Sequence, residues 1–207
     1  DDFLYTVIKS RVSVDLATLL GDAPFEDAAS QFYTASMAIA IAHLHKQDLI
    51  FRNLTTDSVH VDDKGYVQLV DTRHSIKAEP TPTDFCGYPH YLSPEQVSGQ
   101  GHGIAVDYWA LGIVTYEMVT GGSNPWITGD PASDGEVGVY SRISAHTLEA
   151  LTLPAGVKTY DPDALVQTLN DLLHPDPHGA TEHQQEHARV GLAQLLRMEG
   201  PRGRGHA

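Results

Sequence analysis

The sequence predicts an α+β domain, mainly helical, with a few short strands. Three observations point there. Apolar and small residues recur at three-to-four spacing over residues 28–45, and a second, mostly apolar stretch covers 104–119. Between them, residues 49–51, 59–61 and 67–70 are short runs rich in β-branched types. A chain of 207 residues is long enough for one sizeable core.

Taken in order, residues 3–9 are mainly apolar and β-branched types, which suits a strand. Residues 15–20 read as a short helix closed by Gly21. Pro24 and Glu26 stand at the start of the long helix, whose repeating positions are Ala29, Phe32, Tyr33, Ser36, Ile39, Ala40 and His43. His43 and His45 do not share a helix face, so they read as helix-end residues rather than a metal pair. Asp62, Asp63, Lys64 and Gly65 form a turn between two β runs. Residues 72–84, with Pro80 and Pro82, read as a polar loop. Gly121 and Gly122 end the apolar helix, residues 127–138 form a Gly/Asp-rich loop, and 139–148 and 162–173 are further helix candidates. His183, Glu186 and His187 have helical spacing but no third strong ligand nearby, which favours a solvated face over a metal site. Residues 198–207 read as a disordered Gly/Arg-rich tail.

The net charge is −14. Such a surface repels nucleic-acid backbones and anionic lipid, and it accommodates a basic partner more easily. One cysteine, Cys86, excludes an internal disulfide framework and fits a reducing compartment. No apolar run in the sequence is long enough to span a bilayer.

Several ordered motifs then carry a resemblance. Leu49-Ile-Phe-Arg-Asn-Leu-Thr-Thr-Asp-Ser58 resembles the protein-kinase catalytic loop H-R-D-x-x-x-x-N, and Val67-Gln-Leu-Val-Asp-Thr-Arg73 resembles the strand and D-F-G metal loop that follow it. Phe85-Cys-Gly-Tyr-Pro-His-Tyr-Leu-Ser-Pro-Glu95 is similar to the end of an activation segment, with S-P-E for A-P-E. Asp107-Tyr-Trp-Ala-Leu-Gly112 and Tyr116-Glu-Met118 resemble the central buried helix of the larger kinase lobe. The subfamily flavour is that of cyclic-nucleotide-dependent Ser/Thr kinases, through Asp48-Leu-Ile-Phe-Arg52, Lys64-Gly-Tyr-Val-Gln68 and Cys86-Gly-Tyr-Pro89. The likeness covers residues 3–180. It implies a kinase C-lobe over 13–197, with a strand and hinge at 1–12 leading from an N-lobe expected to be absent from this chain, since neither a V-A-I-K lysine nor a Gly-rich loop ahead of one is found.

Mapped residue by residue, the resemblance implies degenerate chemistry. Asn53 stands at the base position, and a neutral amide is a poor proton acceptor. Thr55 replaces the catalytic lysine, Ser58 the second metal-binding asparagine, and Tyr88 the threonine that touches base and lysine. Asp71 is retained as a metal ligand, but Thr72 and Arg73 replace Phe and Gly. Arg73 or another cation is expected to stand in for Mg²⁺ beside Asp71, unless Asp71 is simply a hydrogen-bonded loop residue. Arg52 matches the arginine that holds an activation-segment phosphate. Asp84, at the phosphorylated position, either pairs with Arg52 or is exposed. Asp107 matches a buried scaffold aspartate. Glu95 lacks its usual arginine in Asp176-Pro-His-Gly-Ala180, so it should find another donor or be more exposed. Asp15, Asp57 and Glu117 match positions that contact ribose or basic substrate residues; plain polar surface is the favoured reading of them.

The resulting expectation is a pseudokinase: a non-enzyme without cofactor, acting as a scaffold or regulatory module for other protein chains or domains, a basic segment among them. Neither nucleic acid nor membrane insertion is expected. A cytoplasmic site follows, within a larger cytoskeletal or signalling assembly. The alternative is a weak or unconventional Ser/Thr kinase using ATP and Mg²⁺, with its N-lobe outside this chain.

Overall fold

The computed structural model describes residues 13–21, 23–145, 153–154, 157–159 and 161–174. The expected strand and hinge at 1–12, the histidines at 183 and 187, and the tail at 198–207 lie outside these residues.

The described chain is mixed, with helices predominating. β1 (Ser13–Asp15) leads into α1 (Leu16–Leu20), and α2 (Asp27–His45) is the long helix. Four short strands follow: β2 (Leu49–Ile50), β3 (Val59–Asp62), β4 (Val67–Leu69) and β5 (Ile76–Lys77). A 3₁₀ turn at Pro89–Tyr91 precedes α3 (Pro94–Val97), α4 (Ala105–Thr120), α5 (Glu136–Ser144) and α6 (Pro162–Leu172).

Two small antiparallel sheets bracket the motif-bearing loops. In the first, of order β1-β3-β4, Val14 faces Val61 and Val61 faces Val67. The β3–β4 turn is organised by Asp62, whose carboxylate accepts the backbone N–H groups of Lys64 and Tyr66, with Gly65 at φ 85°. In the second, Leu49 pairs with Lys77 and Ile50 with Ile76. Residues 72–84 are therefore not wholly loop. The β5 pairing was hidden because two residues carry no period of their own.

α4 is the core. Ala105 through Val119 are all buried, as expected of a helix apolar on every side. It ends at Gly121, whose left-handed backbone lets its N–H return to the Glu117 carbonyl. α2 presents Ser30, Thr34, Met37, Ala38 and Ile41 inward, and Thr34 meets Thr115 of α4 hydroxyl to hydroxyl at 3.1 Å. One apolar cluster joins α2, α4 and Phe51 and Leu54 of the loop after β2. A second joins the other side of α4 to α5 and α6 around Trp109 and Trp126, whose rings stack at 5.7 Å. The loop after β2 thus rests directly on the core.

Candidate functional site

Asp107, fully buried in the first turn of α4, sets the backbone of the loop after β2. Its two oxygens accept the N–H groups of Phe51 (2.8 Å) and Arg52 (2.7 Å), and His45 Nε2 lies 2.7 Å from the second oxygen. Arg52 needs that support, because its φ of 60° is a left-handed conformation that side-chain-bearing residues seldom adopt. His45, read from sequence as a helix-end residue, belongs to this scaffold. The contact spans 62 residues, beyond the reach of local pattern.

The Arg52 side chain is a junction. Nε donates to the His74 carbonyl (2.7 Å), Nη1 to Asp84 (2.6 Å), and Nη1 also approaches His102 Nε2 at 3.4 Å. Strand, metal loop and activation segment are tied through one buried guanidinium. Arg52's hydrogen bond holds the Asp84 carboxyl below its ordinary range. The Asp84 side chain is 54% exposed, so pairing and exposure occur together.

Asn53 is buried. Its amide nitrogen donates to the Asp71 carbonyl at 3.3 Å, and its Oδ1 is a buried acceptor with no hydrogen-bond partner among the described residues. Thr55 and Ser58 turn inward. The Ser58 hydroxyl donates to the Asn53 carbonyl (2.5 Å) and accepts from the Thr55 N–H, while Thr55 Oγ1 accepts from the Ser58 N–H. Ser58 is thereby committed to the loop's own backbone. Thr72 and Tyr88 are exposed.

Asp71 and Arg73 form a two-pronged pair, Nε to Oδ1 at 2.8 Å and Nη2 to Oδ2 at 2.6 Å. That hydrogen bonding takes the Asp71 carboxyl down to about 2, although partial burial pushes the other way. Arg73 is stabilised in its charged form by Asp71 first, with a smaller contribution from nearby Tyr88.

The three acidic positions separate. Asp15 caps α1 by accepting the Thr18 N–H at 2.6 Å, and hydrogen bonding from the Thr18 side chain first and its backbone second lowers the Asp15 pKa. Asp57 is exposed. Glu117 is buried and committed: Tyr91 Oη donates at 2.7 Å, Asn124 Nδ2 at 2.9 Å and Thr56 Oγ1 at 3.4 Å. Burial raises its pKa despite those donors. Glu95 is buried too, at 4% exposure, so the more exposed outcome does not hold. Its expected partner segment after His174 lies outside the described residues.

With this geometry in view, the chain can be compared with known proteins. A family profile described as "Protein kinase domain" matches residues 1–186. The chain belongs to the protein kinase family. It is 36% identical over 132 residues to a cGMP-dependent protein kinase, isozyme 2 of Drosophila melanogaster, covering 62% of this chain and 14% of that one. It is 42% identical over 99 residues to Protein kinase 2 of Dictyostelium discoideum, covering 47% and 21%. The mouse cAMP-dependent protein kinase catalytic subunit PRKX is 34% identical over 144 residues, covering 69% and 39%. The matched stretch thus spans well under half the length of these relatives.

These relatives are named as protein kinases, which overturns the expectation of a non-enzyme working without a cofactor. The physical reason lies in the reaction. Phosphoryl transfer draws mainly on positioning and electrostatic stabilisation, so a missing base carboxylate does not by itself exclude an enzyme. Asp71 is the residue that would hold a divalent ion, since Mg²⁺ is commonly held by one or two carboxylates plus substrate phosphates, and in this structure Arg73 engages both of its oxygens. Ser58 is already used internally. No cluster of three metal-ligating side chains occurs among the described residues. No described helix is long and apolar enough to cross a membrane.

Proposed function

We propose that this chain supplies the catalytic-loop half of an unconventional ATP-dependent Ser/Thr protein kinase of the cyclic-nucleotide-dependent type, working with nucleotide-binding elements outside the described residues. The observation that carries this reading is the Arg52 junction, which ties the catalytic loop, the His74 carbonyl after the metal loop, and Asp84 into one unit. Beside it, Asn53 donates to the Asp71 backbone, so the reacting positions keep a fixed relation. Asp71 would hold the divalent ion that neutralises charge on the nucleotide phosphates. Asn53, lacking a carboxylate, would orient the substrate hydroxyl through its free acceptor oxygen rather than take its proton. That places the enzyme at the slow end of its family.

The partners are proteins, with basic segments favoured by the net charge of −14. The free thiol of Cys86 accords with a reducing, cytoplasmic setting. The deciding experiment measures phosphate transfer from ATP to a basic Ser/Thr peptide by the intact protein, with and without Mg²⁺, beside Asp71→Ala. Mg²⁺-dependent transfer lost in that variant is the expected result. Transfer indifferent to the substitution, or absent from the intact protein, overturns the proposal.

A further inference from the structure

We infer that His102 is a positioning residue: its neutral imidazole holds the Arg52 guanidinium in place, and its protonation releases that hold. His102 lies in the loop between α3 and α4 and is 1% exposed. Its backbone N–H donates to the Pro82 carbonyl at 3.0 Å, two residues before Asp84, so the loop is tied to the activation segment independently of the ring. The ring then meets Arg52 Nη1 through Nε2 at 3.4 Å. Arginine has donors only, so Nε2 must be bare for this contact to form. A proton there would turn an acceptor into a second cation facing a buried guanidinium.

The surrounding charges support the neutral ring. Burial and Arg52 disfavour the imidazolium, whereas Asp84, a hydrogen bond to the Gln100 backbone and Asp107 favour it. The first two prevail, in keeping with carboxylates that are already engaged. Asp107 serves the Phe51 and Arg52 N–H groups and His45, and Asp84 serves Arg52. His74 meets the junction through its backbone carbonyl and His45 through Asp107, and Cys86 beside it is kept as a thiol by burial. The net effect lowers the His102 pKa from 6.5.

A lowered imidazole pKa has a definite sign in stability. The unfolded chain takes up its proton first, so this contribution is fully present above 6.5 and fades as pH falls below it. Nothing in this inference depends on phosphate transfer, so it stands or falls apart from the proposed activity.

The test uses the purified full chain. Thermal midpoints are measured from pH 7.5 to 5.5 for the wild type and for His102→Gln, which keeps an acceptor but takes up no proton. The wild type should lose roughly 2–4 °C more than the variant over this interval. Parallel profiles would overturn the inference. NMR titration of the wild-type His102 ring gives a second readout that needs no folded variant. A midpoint below 6.5 is expected, and one at or above 6.5 refutes the idea.

Discussion

Arg73 grips both carboxylate oxygens of Asp71, at 2.6 and 2.8 Å, at the position where a metal ligand of a kinase is expected. The pair is local, two residues apart, and the Arg73 side chain is 73% exposed. It is therefore a movable competitor for the carboxylate and contributes little to global stability.

Arg73→Gly should accordingly expose Asp71 to cations. In thermal-shift titrations of the intact protein with ATP, the variant should respond at Mg²⁺ concentrations several-fold lower than the wild type. The Asp71 carboxyl, now near 2, should titrate closer to 3.8 in the variant by carboxyl NMR. The sign is fixed by the depressed value: the pairing is present above 3.8 and lost as pH falls toward 2. An unchanged Mg²⁺ response would show that the guanidinium does not gate the carboxylate.

Asp84→Asn tests the junction from its exposed end. Arg52 is buried and would lose its charged partner, but the Asp84 side chain is half in water. Discounted for that screening, the loss should be about 1–2 kcal/mol in urea denaturation. Asp84→Glu should recover part of it.

Asp107→Ala is the severe counterpart. It removes the acceptor for two backbone N–H groups and His45 within a fully buried site. A destabilisation of about 3–5 kcal/mol is expected from chemical denaturation. Asp107→Asn, which keeps one acceptor oxygen, should cost less.

Gly112→Ala probes packing alone. A Cβ at Gly112 would stand 2.9 Å from two Leu173 side-chain carbons and 3.0 Å from Leu172 Cβ. Both leucines are buried, so α6 must shift away from α4. The expected loss is about 1–3 kcal/mol by urea denaturation.

How far the sequence revealed all this depended on range. α2 and α4 were legible as long helices from their runs of apolar and small residues, and α1 announced itself through Asp15 and Gly21. The face of α2 was misread: Phe32 and Ile39 are exposed, whereas Ser30, Thr34, Met37 and Ile41 turn inward, because small and apolar residues lie on both sides of the helix and leave little contrast between its faces. The α5 start was misplaced, at 139 rather than Glu136, because Asp134 organises the preceding loop by accepting from Thr128, Gly129 and Arg142. At the site, motif spacing located Asn53, Asp71 and Arg73. It said nothing of His45 or His102, each a lone histidine whose partner lies 50 or more residues away. Glu117 was legible as a carboxylate but not as a committed one, since its donors Tyr91, Thr56 and Asn124 come from separate segments.

Asn53→Asp asks how much of the reaction the amide forgoes. Under the proposed activity, the substitution places a carboxylate at the position aligned with the kinase base, and general-base assistance is commonly worth about 10²–10⁴-fold. The structure sets a limit on that gain. Asn53 is buried, and an aspartate would lose the amide's bond to the Asp71 carbonyl while placing a second carboxylate beside Asp71. The two negative charges should raise one another's pKa and strengthen the demand for a divalent cation. The variant should therefore show faster phosphate transfer than the wild type, a steeper Mg²⁺ dependence and a lower thermal midpoint without metal. Peptide phosphorylation and thermal denaturation across a Mg²⁺ series measure all three. If transfer stays at the wild-type rate while the variant remains folded, the amide is not what limits turnover, and Arg73 on Asp71 becomes the constraint to remove.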